Sequence, residues 1–415
     1  MNLDTTLTLG VVFFMLYSSI LFLVIYVDRK GSIRKDPAPK NKPPVTIVVP
    51  VYQGDKKELI EKAVRSCLEL DYPQKDVIIS WNGPRNDNYD FCKKFEGKCV
   101  NLISTEKPGK AAGMNNALRY IKTEFFCCLD GDSVFSKAAL NAMIGYFENP
   151  KVSAVTSAMR VYNPKTLIQK VQWMEYLFAI YLRKLMSFLD GIYVVPGPGS
   201  AYRTKIVNEL GGFDENNLTE DMEIAFRMQN KGYKIENSAN AYVETSAPEH
   251  LWQLIRQRMR WYVGFFDNFV KYRFFVLNPK YGSLGMYILP MSVLWVFVLF
   301  YTFGKLFSNA AEGLSYGIRT LMLTGFNPDL IWMQFLESLH VQPTFMAWFL
   351  AVFVVIGITV MFLSLWVSGE KVAIKKRYVH YAVYFSAYSF LVFIFWAAAV
   401  TYLVARKVTK ARLKW

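Results

Sequence analysis

At 415 residues, 53% of them hydrophobic and with a formal net charge of +15, the chain is too apolar for a purely soluble enzyme and too long for one small domain. Only three histidines and five cysteines are present, the cysteines odd in number and without metal-ligand spacing, which argues against histidine-based catalysis, a zinc centre or a disulfide scaffold. The positive charge does not mark a nucleic-acid partner, because lysines and arginines cluster beside apolar runs.

The first of those runs, residues 5–27, carries no charge and exceeds the roughly 20 residues that cross a bilayer. No small-residue cleavage site follows it, so it reads as an N-terminal transmembrane helix rather than a signal peptide. Residues 28–43 form a linker, proline-rich in "DPAPKNKPP" (36–44). Then "VTIVVPV" (45–51), "DVIIS" (76–80), "VNLIS" (100–104) and "EFFCCL" (124–129) read as buried strands. Amphipathic helices are expected at 56–70 and 110–122. Val/Ile runs separated by helices predict a mostly parallel sheet covered on both faces, within a domain spanning 44–250. Ligands of such sheets bind at the carboxyl ends of the strands, which selects Tyr52, Asn82, Lys107 to Lys110 and Asp130 as one rim.

At that rim "LDGDS" supplies Asp130 and Asp132, two carboxylates one residue apart that can converge on magnesium or manganese. As a lone motif it also reads as an Asp-Gly turn. "KPGKAAGMNNAL" (107–118) puts Lys110 and two glycines at a helix start, where backbone amides can cradle a diphosphate. "TEDMEIAFRMQNKGYKI" (219–235) places Glu220 and Asp221 behind Thr219, a candidate N-cap. Acids there complement the helix dipole whether or not one of them takes a proton.

Residues 251–280 form an amphipathic, interfacial region in contact with membrane lipids, and contain "RQRMRWYVG" (256–264). Arginines there also suit a departing diphosphate. Charge-free runs at 281–304, 341–369 and 381–405 predict about three spans within 281–405, followed by a basic tail, 406–415. The clusters Arg29, Lys30, Arg34, Lys35 and Lys371, Lys375, Lys376, Arg377 place 28–280 in the cytosol and 305–340 outside. Counted this way the basic tail falls outside, against the positive-inside rule, so either the tail is an exception or one run does not cross.

The ordered set "VTIVVPVY", "KPGKAAGMNNAL", "DGDS", "GPGSAYR" (197–203), "TED" (219–221) and "QRMRW" (257–261) resembles family 2 glycosyltransferases. Within them it is similar to the membrane-embedded synthases of hyaluronan, chitin, cellulose and poly-N-acetylglucosamine. The resemblance covers about residues 44–265 and implies a glycosyltransferase-A-like, Rossmann-like α/β domain beside an α-helical transmembrane region. It implies that Asp130 and Asp132 engage the metal and the donor diphosphate, with Lys110 and with Gln257 and Arg260 of a Q-x-x-R-W pattern; Arg258 is the second arginine suited to that diphosphate by its chemistry. The resemblance further implies Asp221 as general base with Glu220 supporting it. Trp261, and by the segment "WMEY" Glu175 and Tyr176, would meet the acceptor. Tyr52 and Asn82 would meet the nucleotide. Relatives carry acids where this chain has Gly54 and Asn82; Asp55 or Asp87 stand nearby as substitutes.

The function expected from this set is an inverting transfer of a sugar from a nucleotide-diphosphate donor, UDP by the resemblance, to a growing extracellular polysaccharide, with synthesis coupled to translocation. Inversion follows from one displacement by a base-activated hydroxyl. The alternative is transfer of a single sugar to a membrane lipid, as in ceramide glucosyltransferase-like enzymes. Three C-terminal spans are few for a channel, which an interfacial helix or a homo-oligomer would complete. An integral protein of the plasma membrane with a cytosolic catalytic domain is the expected setting.

Overall fold

The computed structural model describes residues 3–97, 99–325, 327–330, 332–333, 345–371 and 374–409. Helix α1 (Leu3–Arg29) is the first apolar run. It leads through the proline-rich linker to β1 (Val45–Tyr52), α2 (Lys57–Leu68), β2 (Lys75–Asn82), α3 (Asp87–Lys93), β3 (Val100–Thr105), α4 (Lys110–Leu118) and β4 (Phe125–Cys128). There follow β5 (Ser133–Phe135), α5 (Ala139–Ile144), β6 (Val152–Val161), α6 (Leu167–Phe188), β7 (Ser200–Arg203), α7 (Thr204–Glu209), α8 (Glu220–Asn230) and β8 (Lys234–Thr245). The eight strands form one sheet in the order β3-β2-β1-β4-β7-β6-β8-β5.

The four strands expected from apolar runs are β1 to β4, and β1–β2, β2–β3 and β1–β4 pair in parallel. The other half is mixed: β6 pairs with β8 in parallel, while β7 runs antiparallel to both β4 and β6, and β5 antiparallel to β8. The sheet is mostly parallel and buried on both faces. On one side Val45, Ile47, Val49 and Val51 of β1 pack with α2, α3 and α5; on the other, Val48 packs with α4, α7 and α8. That double burial is why β1 reads as an unbroken Val/Ile run instead of alternating. Helix α4 stops at Leu118, a turn short of the expected end.

After β8 comes α9 (Leu251–Lys271), then single 3-10 turns at Arg273–Phe275 and Pro279–Tyr281. A π-turn, Leu284–Ile288, opens α10 (Leu289–Thr324); α11 (Phe345–Val367) and α12 (Ile374–Thr409) complete the chain. Three stretches, Leu3–Arg29, Leu284–Leu323 and Arg377–Val408, are long and apolar enough to cross a membrane, and Ala351–Val367 within α11 is a shorter one. The expected loop at 305–340 begins inside α10 and continues into residues outside the described set, as does the tail beyond 409.

The chain divides into two compact units. One contains Ile25–Pro290 and the segment from Leu363 onward; the other contains α1 up to Val24 and Met291–Phe362. Within the second, Phe14 meets Trp295 edge-on at 5.4 Å and Thr8 shares a 2.7 Å hydrogen bond with Tyr301. Within the first, Phe226 of α8 stacks on Tyr272 at 4.9 Å, and Phe275, Leu284 and Ile288 complete that cluster. Buried Glu223 accepts from Arg227, Lys271 and Tyr272, so a carboxylate with three donors fastens α9 to α8. Arg406, near the end of α12, forms a two-pronged ion pair with Asp267 of α9, at 2.9 and 2.5 Å.

Candidate active site

The carboxyl ends of β1, β2 and β4 meet the start of α4 around a cavity of about 730 Å³. Tyr52, Asp55, Asn82, Gly109 to Ala112, Asp130 to Asp132, Glu220 and Arg260 line it. Gly109, the N-cap of α4, has φ +106°, a conformation that glycine adopts without steric cost. Amides at the start of α4 thus border the cavity, as a phosphate cradle requires.

A second cavity, about 390 Å³, adjoins the first; Lys110, Asp130, Asp132, Glu220 and Arg260 line both. The second alone takes in Glu175, Tyr176, Arg183, Asp221, Gln257 and Trp261. Two compartments joined at a ring of carboxylates and cations suit two substrates that meet at one bond.

Asp221 occupies the first turn of α8. Thr219 is at the N-cap, as the sequence suggests, but its side chain does not cap the helix: its hydroxyl accepts from Asn268 of α9 at 2.9 Å. Met222 N–H donates to Asp221 Oδ1 at 2.8 Å. Burial, reinforced by neighbouring Glu220, pushes the Asp221 carboxyl up to about 6, while Lys110 and Arg260 pull against that rise. The like charge at work is Glu220, not Asp130 or Asp132. A buried carboxyl poised this high is suited to accept a proton near neutral pH.

Lys110 pairs with Asp130. Gly197 faces that pair, and a methyl group there would overlap Lys110 Nζ and come within 3.0 Å of Asp130 Oδ1. Because the obstacle is the end of a flexible side chain, we expect Gly197→Ala to fold while displacing Lys110. Donor affinity should fall about tenfold, the equivalent of one charged hydrogen bond, in a nucleotide-sugar titration; unchanged affinity would disconnect Lys110 from the donor.

Asp132 is held high by burial and by the charge of Asp130, and accepts from Ser133 at 3.1 Å. A hard divalent cation shared by Asp130 and Asp132 would relieve that repulsion, so the donor set fits magnesium or manganese. Among the described residues no group of three or more acidic, histidine or cysteine side chains could hold an ion unaided. Remaining ligands would be diphosphate oxygens and water.

The cluster from "QRMRW" divides. Arg260 lines both cavities, and Gln257 and Trp261 line the smaller one. Arg258 borders neither: only 1% exposed, it donates to Glu175 at 2.7 Å and to Gln257 at 3.0 Å and lies 3.9 Å over the Trp261 ring. Arg258, expected at the diphosphate, thus stands in the wall of the site, with its two terminal nitrogens bonded to Gln257 and Glu175. Gln257 lines the smaller cavity together with Lys110, Asp130, Asp132 and Arg260. Tyr52 and Asn82 line the larger cavity as expected, and Asn82 Oδ1 is buried without a hydrogen-bond partner in the molecule.

Of the suggested substitutes, Asp55 lines the larger cavity and Asp87 does not; burial, with Asp132 and Asp130 nearby, raises Asp55 to about 6 against a hydrogen bond from Tyr52 N–H. Arg183 borders the smaller cavity, its basicity lowered to about 10 by burial, with Asp221 in its field. Its spacing from Glu175 and Ala179 (i, i+4, i+8 on α6) is the signal that could have found it.

A mostly parallel α/β sheet with carboxylates at its carboxyl edge, opening on two joined cavities, is the architecture in which ligands are bound at the strand ends. Residues 43–264, over half the chain, match the family described as "Glycosyltransferase like family 2", and the chain belongs to that family. Among curated proteins it is similar to the poly-beta-1,6-N-acetyl-D-glucosamine synthases of Staphylococcus epidermidis (29% identical over 255 residues, 59% of this chain and 61% of the relative) and Staphylococcus aureus strain COL (27% over 263 residues, 61% and 63%). The matched stretch thus spans about three fifths of those relatives' length. Among solved structures, a mannosyltransferase from Pyrobaculum calidifontis in complex with GDP-Man and Mn2+ superposes with a TM-score of 0.56 at 18% identity. That match covers 87% of this chain and 97% of the other, and supports the fold.

Proposed function

We propose that the protein transfers a sugar, N-acetylglucosamine by the names of its relatives, from a nucleotide-diphosphate donor to a hydroxyl of a growing polysaccharide, with inversion at the anomeric carbon. The observation that carries this reading is the position of Asp221 on the smaller cavity beside the Lys110–Asp130–Arg260 boundary with the larger one. In this reading the larger cavity holds the nucleotide. Unpartnered Asn82 Oδ1 accepts from a base N–H, which suits uracil, and Asp55 lies on the same wall.

Amides at the start of α4, with Lys110 and Arg260, hold the diphosphate. Asp221 takes the proton of the acceptor hydroxyl as that oxygen bonds to the anomeric carbon. The carbon–oxygen bond to the diphosphate breaks, and the nucleotide diphosphate leaves with the electron pair. Trp261 offers a stacking surface to the acceptor sugar, Gln257 and Tyr176 line its sides, and Arg258 keeps the Trp261 ring in place from behind. A divalent ion bound by Asp130 and Asp132 would neutralise charge on the departing diphosphate. Extrusion of the polymer, a plasma-membrane location and a cytosolic α/β unit belong to the same proposal.

The test is purified protein in nanodiscs with a panel of labelled nucleotide sugars, followed by sizing of the product. A carbohydrate ladder supports polymer synthesis; one sugar on an extractable lipid replaces it with glycolipid synthesis; no release of nucleotide from any donor would overturn both. Chelation should abolish transfer, and manganese or magnesium should restore it in the wild type. In Asp132→Ala the half-saturating metal concentration should rise at least tenfold. Full activity in excess chelator would remove the ion from the reading.

A further inference from the structure

Helix α12 has the length and composition of a membrane crossing, but its contacts are those of a helix lying along the catalytic unit. Arg377 lies 4.3 Å over the Trp173 ring of α6, and His380 meets the same ring edge-on at 5.6 Å. Midway, Trp396 stacks on Tyr262 of α9 at 4.2 Å and 10°, and meets Phe265 edge-on at 6.1 Å. At the far end is the two-pronged pair of Arg406 with Asp267. From Arg377 to Arg406 the helix is about 44 Å long at 1.5 Å per residue, which exceeds the ~30 Å hydrocarbon core of a bilayer. A crossing helix would leave the catalytic unit behind after one end. This one is fastened near both ends and in the middle.

The helix beneath it belongs to the catalytic unit. Helix α9 meets α12 through Tyr262, Phe265 and Asp267, and the same helix carries Gln257, Arg260 and Trp261 to the border of the site. The turn before α12 is anchored to the same unit: Glu370 pairs with Arg160 of β6 at 3.5 Å and with Arg377 at 2.9 Å. Arg34, in the linker just after α1, donates to Tyr242 of β8 at 3.3 Å, and a methyl group on Gly369 would touch both residues.

We propose that α12 is a membrane-surface helix, not a fourth crossing, and that its partners are α6 and α9 on one side and the lipid headgroup boundary on the other. Its outward residues fit that partner: Tyr378, Phe385, Phe390, Val404 and Val408 are exposed and apolar or amphipathic. Lys407 follows the apolar run on its exposed side, where an anionic headgroup would meet it. The arrangement also removes the conflict in the charge pattern. With crossings left to α1, α10 and α11, the basic cluster at 371–377 and the basic residues from Arg406 to Lys414 fall in one compartment with Arg29 to Lys35, as the positive-inside rule requires.

Accessibility of single cysteines to a membrane-impermeant maleimide tests this. Exposed Cys99 of the α/β unit reports that unit's side in the wild-type protein. In a Cys99→Ser background, Lys371→Cys and Val408→Cys then report the two ends of α12. The expected result is that both ends match wild-type Cys99, protected in intact cells and labelled after permeabilisation. Val408→Cys labelled in intact cells while Lys371→Cys stays protected would establish a crossing and overturn the proposal. Should a cysteine variant fail to accumulate, C-terminal fusions decide. A fluorescent reporter that matures only in the cytosol should light up, and an alkaline phosphatase active only outside should stay silent; the reverse refutes the idea. None of these outcomes depends on which sugar is transferred or whether transfer occurs.

Discussion

Replacing Asp221 by asparagine should lower sugar transfer about 10²–10⁴-fold, the range that a general base supplies, and should at the same time stabilise the fold at neutral pH. Both effects have one cause. Burial and Glu220 raise the carboxyl from an ordinary 3.8 to about 6. In the wild type, transfer should therefore rise with pH up to about 6, as Asp221 loses its proton, and level off above; the variant's residual rate should lack that limb. For stability, the native state keeps its proton up to about pH 6, whereas the unfolded chain releases it near 3.8. Between those values the native state binds more protons, so stability falls as pH rises through that window, and the deficit persists at neutral pH. An uncharged amide removes the penalty, so Asp221→Asn should melt higher than wild type at pH 7.5 and no higher at pH 3.5. Melting curves at the two pH values, with a pH–rate profile, check this. Transfer within threefold of wild type would reduce Asp221 to a residue at the positive end of a helix.

Glu175→Gln should be the most destabilising single change at the site, costing about 3–5 kcal/mol, because it leaves a buried guanidinium without its counterion. Arg258 is 1% exposed, Glu175 is 17% exposed, and their 2.7 Å contact joins α9 to α6. Gln257 accepts one further hydrogen bond from Arg258 but carries no charge to balance it. Pairing the change with Arg258→Met should recover most of the loss, since no buried ion is then left without its counterion. The double variant should nonetheless bind acceptor more weakly, because Trp261 loses the cation 3.9 Å from its ring. Denaturant titration of the single and double variants measures the coupling. A single variant as stable as wild type would mean that the Arg258 charge is neutralised elsewhere.

Composition and period made half of the sheet legible. Strands β1, β2 and β4 are buried on both faces and therefore appear as apolar runs, the edge strand β3 is only half-buried, and the strand ends point to Tyr52, Asn82, Lys110 and Asp130. The other half stayed hidden. β5 has three residues and β7 four, too short for a pattern, and β8 reads "KIENSANAYVET", whose buried Asn237 and Ser238 look like a loop until their hydrogen bonds are known. Among the site residues, "TED" and "QRMRW" could be found as strings, and the Q-x-x-R-W pattern in the second sets Arg260 apart from Arg258 without giving the physical reason. They differ because one points back at α6 and the other toward the junction of the cavities.

What the sequence determined by itself is what depends on local spacing: the apolar runs, the strand–helix alternation, the acids at strand and helix ends, and with them the family. What only the tertiary structure decided is which distant charges become partners. Asp221 and Glu220 owe their environment to α4 and α9, Arg258 is consumed by Glu175 some 83 positions away, and Arg406 finds Asp267 across 139 positions. Helix α12 is the clearest case, since hydropathy measures how apolar a segment is but not what lies against it. An apolar helix is stable in lipid or against protein, and its neighbours choose between the two.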